Sequence, residues 1–156
     1  MRGDMMALKV GDLAPDFKLK DQNGDDNSLS GFKGKKVLLS FHPLAWTGVC
    51  ETQMKNLDLK YDELGKLNVV PLGISVDASP SKKAWAQNMK INKLKLLSDF
   101  WPHGEVARKY GIFDEENGFS KRANFLIDEE GKIEFVKVYE LRDQPDLNEI
   151  MNYIKR

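Results

Sequence analysis

Cysteine is nearly absent: the sequence holds one, Cys50. A single thiol closes no intrachain disulfide, which excludes a secreted disulfide scaffold. Charge of either sign in excess is absent too, with 24 Lys+Arg against 24 Asp+Glu, so no global field argues for nucleic acid or an anionic membrane. No apolar run approaches the length of a membrane span, and the N-terminus lacks a secretory hydrophobic stretch. A cytoplasmic address is the default expectation. Histidine is scarce: His103 follows Trp101-Pro102 with no partner at ligand spacing, so no metal is expected. Asp21, Asn23, Asp25 and Asp26 suggest a calcium loop, but its sixth position is Asp26 rather than Gly and its twelfth is Phe32 rather than Glu. A solvated acidic turn is the reading.

What remains is 156 residues, 41% hydrophobic and 31% charged, enough for one domain (1–156) with a sizeable core. No internal repeat, linker or low-complexity stretch divides it. Residues 1 to 7 read as a frayed terminus. Asn23-Gly24 between short extended pieces predicts a hairpin over Phe17 to Leu29. Strands are predicted around 36–42, at Val69–Val76, where Pro71 hints at a bulge or edge position, and at Leu94–Ser98. Helices are predicted from Cys50 to about Gly65, and from Ser79 as N-cap with Pro80 at the first position to about Met89. A short helix over Gly104–Tyr110 precedes a hairpin, Asn124–Asp128 and Ile133–Tyr139 around Glu129-Glu130-Gly131. A last helix, Gln144–Lys155, carries the stripe Leu147, Ile150, Met151 and Ile154. This alternation implies an α/β fold: a mixed central sheet flanked by helices, with an N-terminal β-hairpin, in a thioredoxin-like architecture.

The chemistry concentrates at Phe41-His42-Pro43-Leu44-Ala45-Trp46-Thr47-Gly48-Val49-Cys50-Glu51. A buried strand feeds a loop that ends by starting a helix, and Cys50 falls in the first turn, four residues before Met54 on the inward face. First-turn N–H groups, here those of Val49 and Cys50, have no intrahelical partner and stabilise a nearby anion. A thiol with a pKa of about 8.5 is more reactive when such a site lowers it. Thr47 offers a hydroxyl to the sulfur or to a substrate oxygen, or serves as a helix N-cap. An inert buried cysteine fits the same context, and the residues alone leave both readings open.

Pro43-x-x-x-Thr47-x-x-Cys50 resembles the active-site signature of the peroxiredoxins, thiol peroxidases of thioredoxin-like fold. The run Lys9-Val10-Gly11-Asp12-Leu13-Ala14-Pro15-Asp16-Phe17-Lys18-Leu19 resembles the family's opening segment, and Arg122 falls where the family carries its active-site arginine before a strand. The resemblance implies reduction of hydrogen peroxide or organic hydroperoxides through a Cys50 sulfenic acid, with no cofactor. Cys50, Thr47, Arg122 and Pro43 are then the catalytic set, Pro43 shielding the sulfenate. Trp46, Val49 and His42 are the substrate-binding candidates. Trp46 stands where Phe is usual, and His42 departs from a common aromatic, so it either bonds a substrate oxygen or packs structurally. An unperturbed thiol is already roughly 3% ionised at pH 7, so lowering its pKa gains at most about thirtyfold. The rest must come from fixed donors and a cation acting on the breaking O–O bond.

Rival chemistries lack their residues. A cysteine phosphatase needs an arginine six residues past the cysteine, where Asn56 stands, and a disulfide exchanger needs a second cysteine where Thr47 stands. A peroxide sensor or redox-regulated binding protein of the same fold remains the alternative, separated from an enzyme by turnover with a thiol reductant. No resolving cysteine exists, either at Lys55 or elsewhere. The chain thus resembles one-cysteine peroxiredoxins, recycled by an external thiol: a thioredoxin- or glutaredoxin-like protein, or a low-molecular-weight thiol. Ser81 lies where some relatives carry a resolving cysteine and is read as a natural serine. By the same resemblance a homodimer is expected, with no nucleic-acid or membrane partner.

Overall fold

The structure, a computed structural model, describes residues 6–156. The N-terminal hairpin forms from β1 (Lys18–Lys20) and β2 (Asp26–Ser28), with Lys18 opposite Ser28. Its turn is wider than two residues. The Asp21 N–H donates to the Asp25 carbonyl at 2.9 Å, and Gly24 supplies a φ of +84°. The Asp21 carboxylate accepts from the Asn23 and Asp25 amides and from the Asn27 side chain, so this acidic turn spends its acceptors on itself.

The apolar runs become β3 (Lys36–Phe41), β4 (Val69–Ser75) and β5 (Lys95–Ser98), with β4 parallel to both neighbours. A small separate antiparallel pair, β6 (Phe113–Asp114) and β7 (Phe119–Ser120), was not legible as strand in the sequence. It leads into β8 (Arg122–Ile127), antiparallel to β3, and β9 (Ile133–Tyr139), antiparallel to β8. β1 closes the other flank through Lys20 opposite Ser98, giving the sheet order β2-β1-β5-β4-β3-β8-β9. The expected mixed sheet is present, and β8 begins two residues earlier than predicted, at Arg122.

Pro71 corrects the expectation of a bulge or edge, because it sits inside a central strand. Lys36 N–H donates to Asn68 O and His42 N–H to Ile74 O, so even-numbered β4 residues turn their polar groups to β3. Pro71 therefore faces β5, which begins only opposite Leu72, and its missing N–H has no ladder to break.

The predicted helix from Cys50 to Gly65 is two: α1 (Gly48–Leu59) and α2 (Tyr61–Lys66). The break follows Asp58, whose carboxylate accepts the amides of Asn92, Lys93 and Leu94 at 2.8–2.9 Å. Next, α3 (Ser79–Met89) starts one residue early, with Ala78 as its cap, because the Ser79 hydroxyl donates instead to the Asp21 carbonyl. The short α4 (Glu105–Lys109) hangs on buried Asp99, which accepts from the Val106 and Ala107 amides and whose pKa burial raises to about 6. Finally, α5 (Leu147–Ile154) begins after Asp146, whose side chain takes the Asn148 amide, rather than at Gln144.

Alternation along the strands sorts the core into two layers. Leu38, Leu96 and Leu126 meet Met54 and Leu57 of α1, Leu64 of α2, Trp85 and Met89 of α3, and Ile150 and Met151 of α5. The opposite face packs Phe41, Phe125 and Tyr110, with ring centroids 5.2–5.8 Å apart. Ala7 and Leu8 join this layer, and Leu8 N–H donates to Tyr110 O at 3.1 Å. That docking corrects the fraying expected at the near end of the terminal segment; residues 1–5 lie outside the described residues. Among the described residues, no helix is long and apolar enough to cross a membrane.

Candidate active site

The chain leaves the sheet at Phe41 and re-enters order at Gly48, and the loop between them is pinned rather than free. Pro43 is buried, and the Ala45 N–H donates to Asp77 Oδ2 at 2.7 Å. Trp46 turns the backbone through a φ of +69°, a region non-glycine residues seldom enter, and leaves its ring half exposed. Thr47 is the N-cap residue of α1 by position, but its hydroxyl donates to Leu44 O at 2.9 Å rather than to an α1 amide or to the sulfur.

Cys50 follows in the first turn with no exposed surface. The first amide that reaches back is that of Glu51, to Thr47 O at 2.9 Å, so the Val49 and Cys50 N–H groups precede the helical ladder. Glu51 itself turns outward to an exposed ion pair with Lys55 at 2.9 Å, away from the thiol.

Arg122 reaches the sulfur from β8. Its Nη1 donates to Cys50 Sγ at 3.2 Å and to Gln53 Oε1 at 2.7 Å. Its Nε and Nη2 both donate to Leu141 O, at 3.0 and 2.6 Å, which fixes the plane of the guanidinium. Gln53, nearly as buried as the thiol, donates in turn to Ser40 Oγ at 2.6 Å and to Phe41 O at 3.3 Å. A fully satisfied buried network of this kind locks one geometry. Gln53 was missed from sequence, although its place three residues after Cys50 puts it on the same helical face.

Of the two readings open for His42, a contact to a substrate oxygen or structural packing, its position matches packing. Its ring is wholly buried, with Nδ1 3.4 Å from Ser40 O and Nε2 2.9 Å from Lys82 Nζ. It also packs 5.5 Å from the buried Trp85 ring. Burial, then the fields of Lys82 and Arg122, hold its pKa well below the usual histidine range. Lys82, also fully buried, is pushed down by burial to about 7, against the opposing pull of Asp77 and Cys50. The sequence carries a signal for it: Lys82 occupies the apolar stripe it forms with Trp85, Ala86 and Met89, where a lysine is out of place. The structure thus brings Cys50 and Arg122 into contact and sets Trp46 and Thr47 on the exposed side of the loop. His42 lies behind them.

Comparison with known proteins identifies the family. Residues 10–136 match the AhpC/TSA family. The chain is 43% identical over 141 residues to alkyl hydroperoxide reductase E of Mycobacterium tuberculosis, covering 88% of this chain and 92% of that protein. It is 39% identical over 138 residues to peroxiredoxin Bcp of Escherichia coli K12, covering 85% and 86%. The reduced 2-Cys peroxiredoxin of Plasmodium vivax superposes with a TM-score of 0.87 at 31% identity, over 95% of this chain and 81% of that one. The sheet and its flanking helices are therefore the thioredoxin-like architecture of these proteins, and the chain belongs to the AhpC/TSA family of peroxiredoxins, the thiol-dependent peroxidases.

Proposed function

We propose that Cys50 is the sulfur that attacks the peroxide and that Arg122 is its principal electrostatic partner. The observation that carries this is the 3.2 Å contact between Arg122 Nη1 and Cys50 Sγ, made by a guanidinium immobilised on Leu141 O. The thiolate attacks one peroxide oxygen, the O–O bond breaks, and the other oxygen leaves as hydroxide or alkoxide and takes up a proton. The sulfur is left as sulfenic acid. Negative charge passes from the sulfur to the departing oxygen during this step, and a fixed cation at the site with the first-turn amides of Val49 and Cys50 stabilises it without reorganising. Thr47, whose hydrogen goes to Leu44 O, keeps its oxygen lone pairs for a peroxide O–H. Buried Pro43 stiffens the loop, and Trp46 and Val49 line the approach.

The sulfenic acid condenses with an external thiol to a mixed disulfide and water, and a second thiol releases Cys50. No other cysteine in the sequence can do this. A reducing compartment such as the cytoplasm suits that cycle. A homodimer has apolar surface to cover: Trp46, Phe100 and Trp101 are 52%, 51% and 80% exposed.

The test is stopped-flow tryptophan fluorescence of the reduced protein with hydrogen peroxide and, separately, cumene hydroperoxide, using Cys50→Ser as the blank. Buried Trp85 belongs to the same core layer as Cys50 and serves as reporter. A fast Cys50-dependent phase, orders of magnitude above free cysteine, is the expected outcome. A rate no better than free cysteine from folded protein overturns the assignment. Steady turnover with added thiol, rather than one oxidation event, separates the enzyme from a sensor.

A further inference from the structure

The connector between β9 and α5, residues 140–146, touches both walls of the site. Leu141 O holds two Arg122 nitrogens, and three residues later Gln144 reaches α1. The Gln144 side-chain amide lies 3.2 Å from Val49 O and 3.2 Å from Gln53 N. Those partners dictate its orientation: Nε2 donates to the Val49 carbonyl, and Oε1 accepts from the Gln53 N–H. The next residue, Pro145, is buried and shares a small hollow with Gln53, Asn56 and Leu57 of α1, whereas Gln144 itself is exposed.

Val49 and Gln53 are the two ends of one helical turn, and Cys50 lies between them. One side chain serves a carbonyl and an N–H together only if it carries a donor and an acceptor. Glutamine has both and no charge, whereas a carboxylate has only acceptors and a lysine only donors. The contact bears on the sulfur by two routes. A peptide unit is rigid and planar, so Val49 C=O and Cys50 N–H turn as one body. Holding that carbonyl fixes the direction of the Cys50 N–H, and the bond polarises the peptide and strengthens its N–H as a donor. At the other end of the turn, the Gln53 backbone is held, and its side chain accepts from Arg122 Nη1 at 2.7 Å.

We propose that Gln144 is a positioning residue for the reaction at Cys50: its neutral amide clamps the Val49–Gln53 turn, so that the Cys50 N–H and the Arg122–Gln53 pair converge on the sulfur. This rests on the reading of Cys50 as the attacking sulfur. Gln144 acts through the backbone of α1, and the connector that carries it also fixes the guanidinium through Leu141 O. Cation and helical turn are thereby held from one segment.

The test is stopped-flow oxidation by hydrogen peroxide of reduced Gln144→Leu and Gln144→Glu. Each rate is read as a ratio to wild type from about pH 4 to 8, a range that spans the ordinary glutamate pKa of about 4.3. Leucine keeps the bulk and removes both bonds, and at an exposed position it leaves no core cavity. Its rate is expected to fall about tenfold or more at every pH, because small misplacements of reacting groups carry penalties of that order. A protonated carboxyl offers the hydroxyl donor and carbonyl acceptor that mimic the amide, whereas the ionised form turns an acceptor on Val49 O. Gln144→Glu is therefore expected to run near the wild-type rate at the acid end and to fall toward the leucine variant as the carboxyl ionises. Lys60, Lys137, Glu140, Asp143 and Asp146, which line the surface around Gln144, are common to all three proteins, so the ratio isolates the introduced group. A folded Gln144→Leu that reacts at the wild-type rate overturns the proposal, as does a Gln144→Glu ratio that is flat with pH. If Gln144→Leu does not fold, the pH dependence of Gln144→Glu decides alone. A peroxide rate that survives Cys50→Ser rejects instead the reading beneath the proposal.

Discussion

Gln53 Oε1 accepts from the same Arg122 nitrogen that faces Cys50 Sγ, at 2.7 Å, while its Nε2 donates to Ser40 Oγ at 2.6 Å. One amide therefore aims the guanidinium at the sulfur and ties it to the strand from which the reactive loop departs. Gln53→Leu removes both bonds, and a third to Phe41 O, and leaves the Ser40 hydroxyl and an arginine N–H buried without those partners. A loss of about 1–3 kcal/mol is expected from the stranded groups. Urea denaturation measures it, and stopped-flow oxidation is expected to slow alongside as the guanidinium loses its aim.

Arg122→Lys keeps the charge and discards the fork. Lysine cannot hold Leu141 O with two nitrogens and still present a third to Cys50, so the cation no longer has one position. The expected fall in the second-order rate with peroxide is about 10²-fold or more, the scale of losing one preorganised donor. A rate within a fewfold of wild type would mean that positive charge alone suffices.

Residues with a local signature were legible from sequence. Pro43, Thr47, Cys50 and Arg122 were legible as a set through their resemblance to the peroxiredoxin signature; strand, loop and helix signals alone placed Cys50 in a first turn and left a reactive and an inert thiol equally open. Lys82 and Gln53 were not found. Each lies on an apolar helical stripe, where a polar residue shows only as a flaw in the pattern, and its meaning depends on what another strand brings opposite it. The division of the helix at Lys60 escaped for a similar reason: it follows Asp58 reaching the amides before β5, some thirty residues on. Pro71 misled because a central strand tolerates proline only where its neighbour has not yet begun, a fact of register rather than sequence.

Stability should rise with pH above neutrality. Burial lowers the folded-state pKa of Lys82 to about 7, whereas an unfolded lysine titrates near 10.4. Between these values the unfolded chain binds more protons than the folded one, so the unfolding free energy grows as pH increases and levels off on either side. The slope from this one group is at most ~1.4 kcal/mol per pH unit. Urea denaturation between pH 6.5 and 9.5 in a Cys50→Ser background, which removes thiol titration, is expected to show the rise, and adding Lys82→Met is expected to flatten it.

Two glycines test the close packing beneath the reactive helix. Gly73 lies on β4 directly under α1, and a Cβ there would stand 2.5 Å from Met54 Sδ and 3.0 Å from Leu96 Cδ2. Met54 is fully buried one turn past Cys50, so it has little room to yield without moving the helix that carries the sulfur. Gly73→Ala is expected to cost about 1–3 kcal/mol, as overpacking of a filled core does. Gly65, exposed on α2, has nothing within 4 Å of its would-be Cβ, and Gly65→Ala is expected to stabilise by about 0.5–1 kcal/mol from helix propensity alone. Denaturation of the two variants side by side reads the difference. If Gly73→Ala is as stable as wild type and oxidises at the wild-type rate, then α1 shifts freely on the sheet, and the fixed seat argued here for Cys50 is wrong.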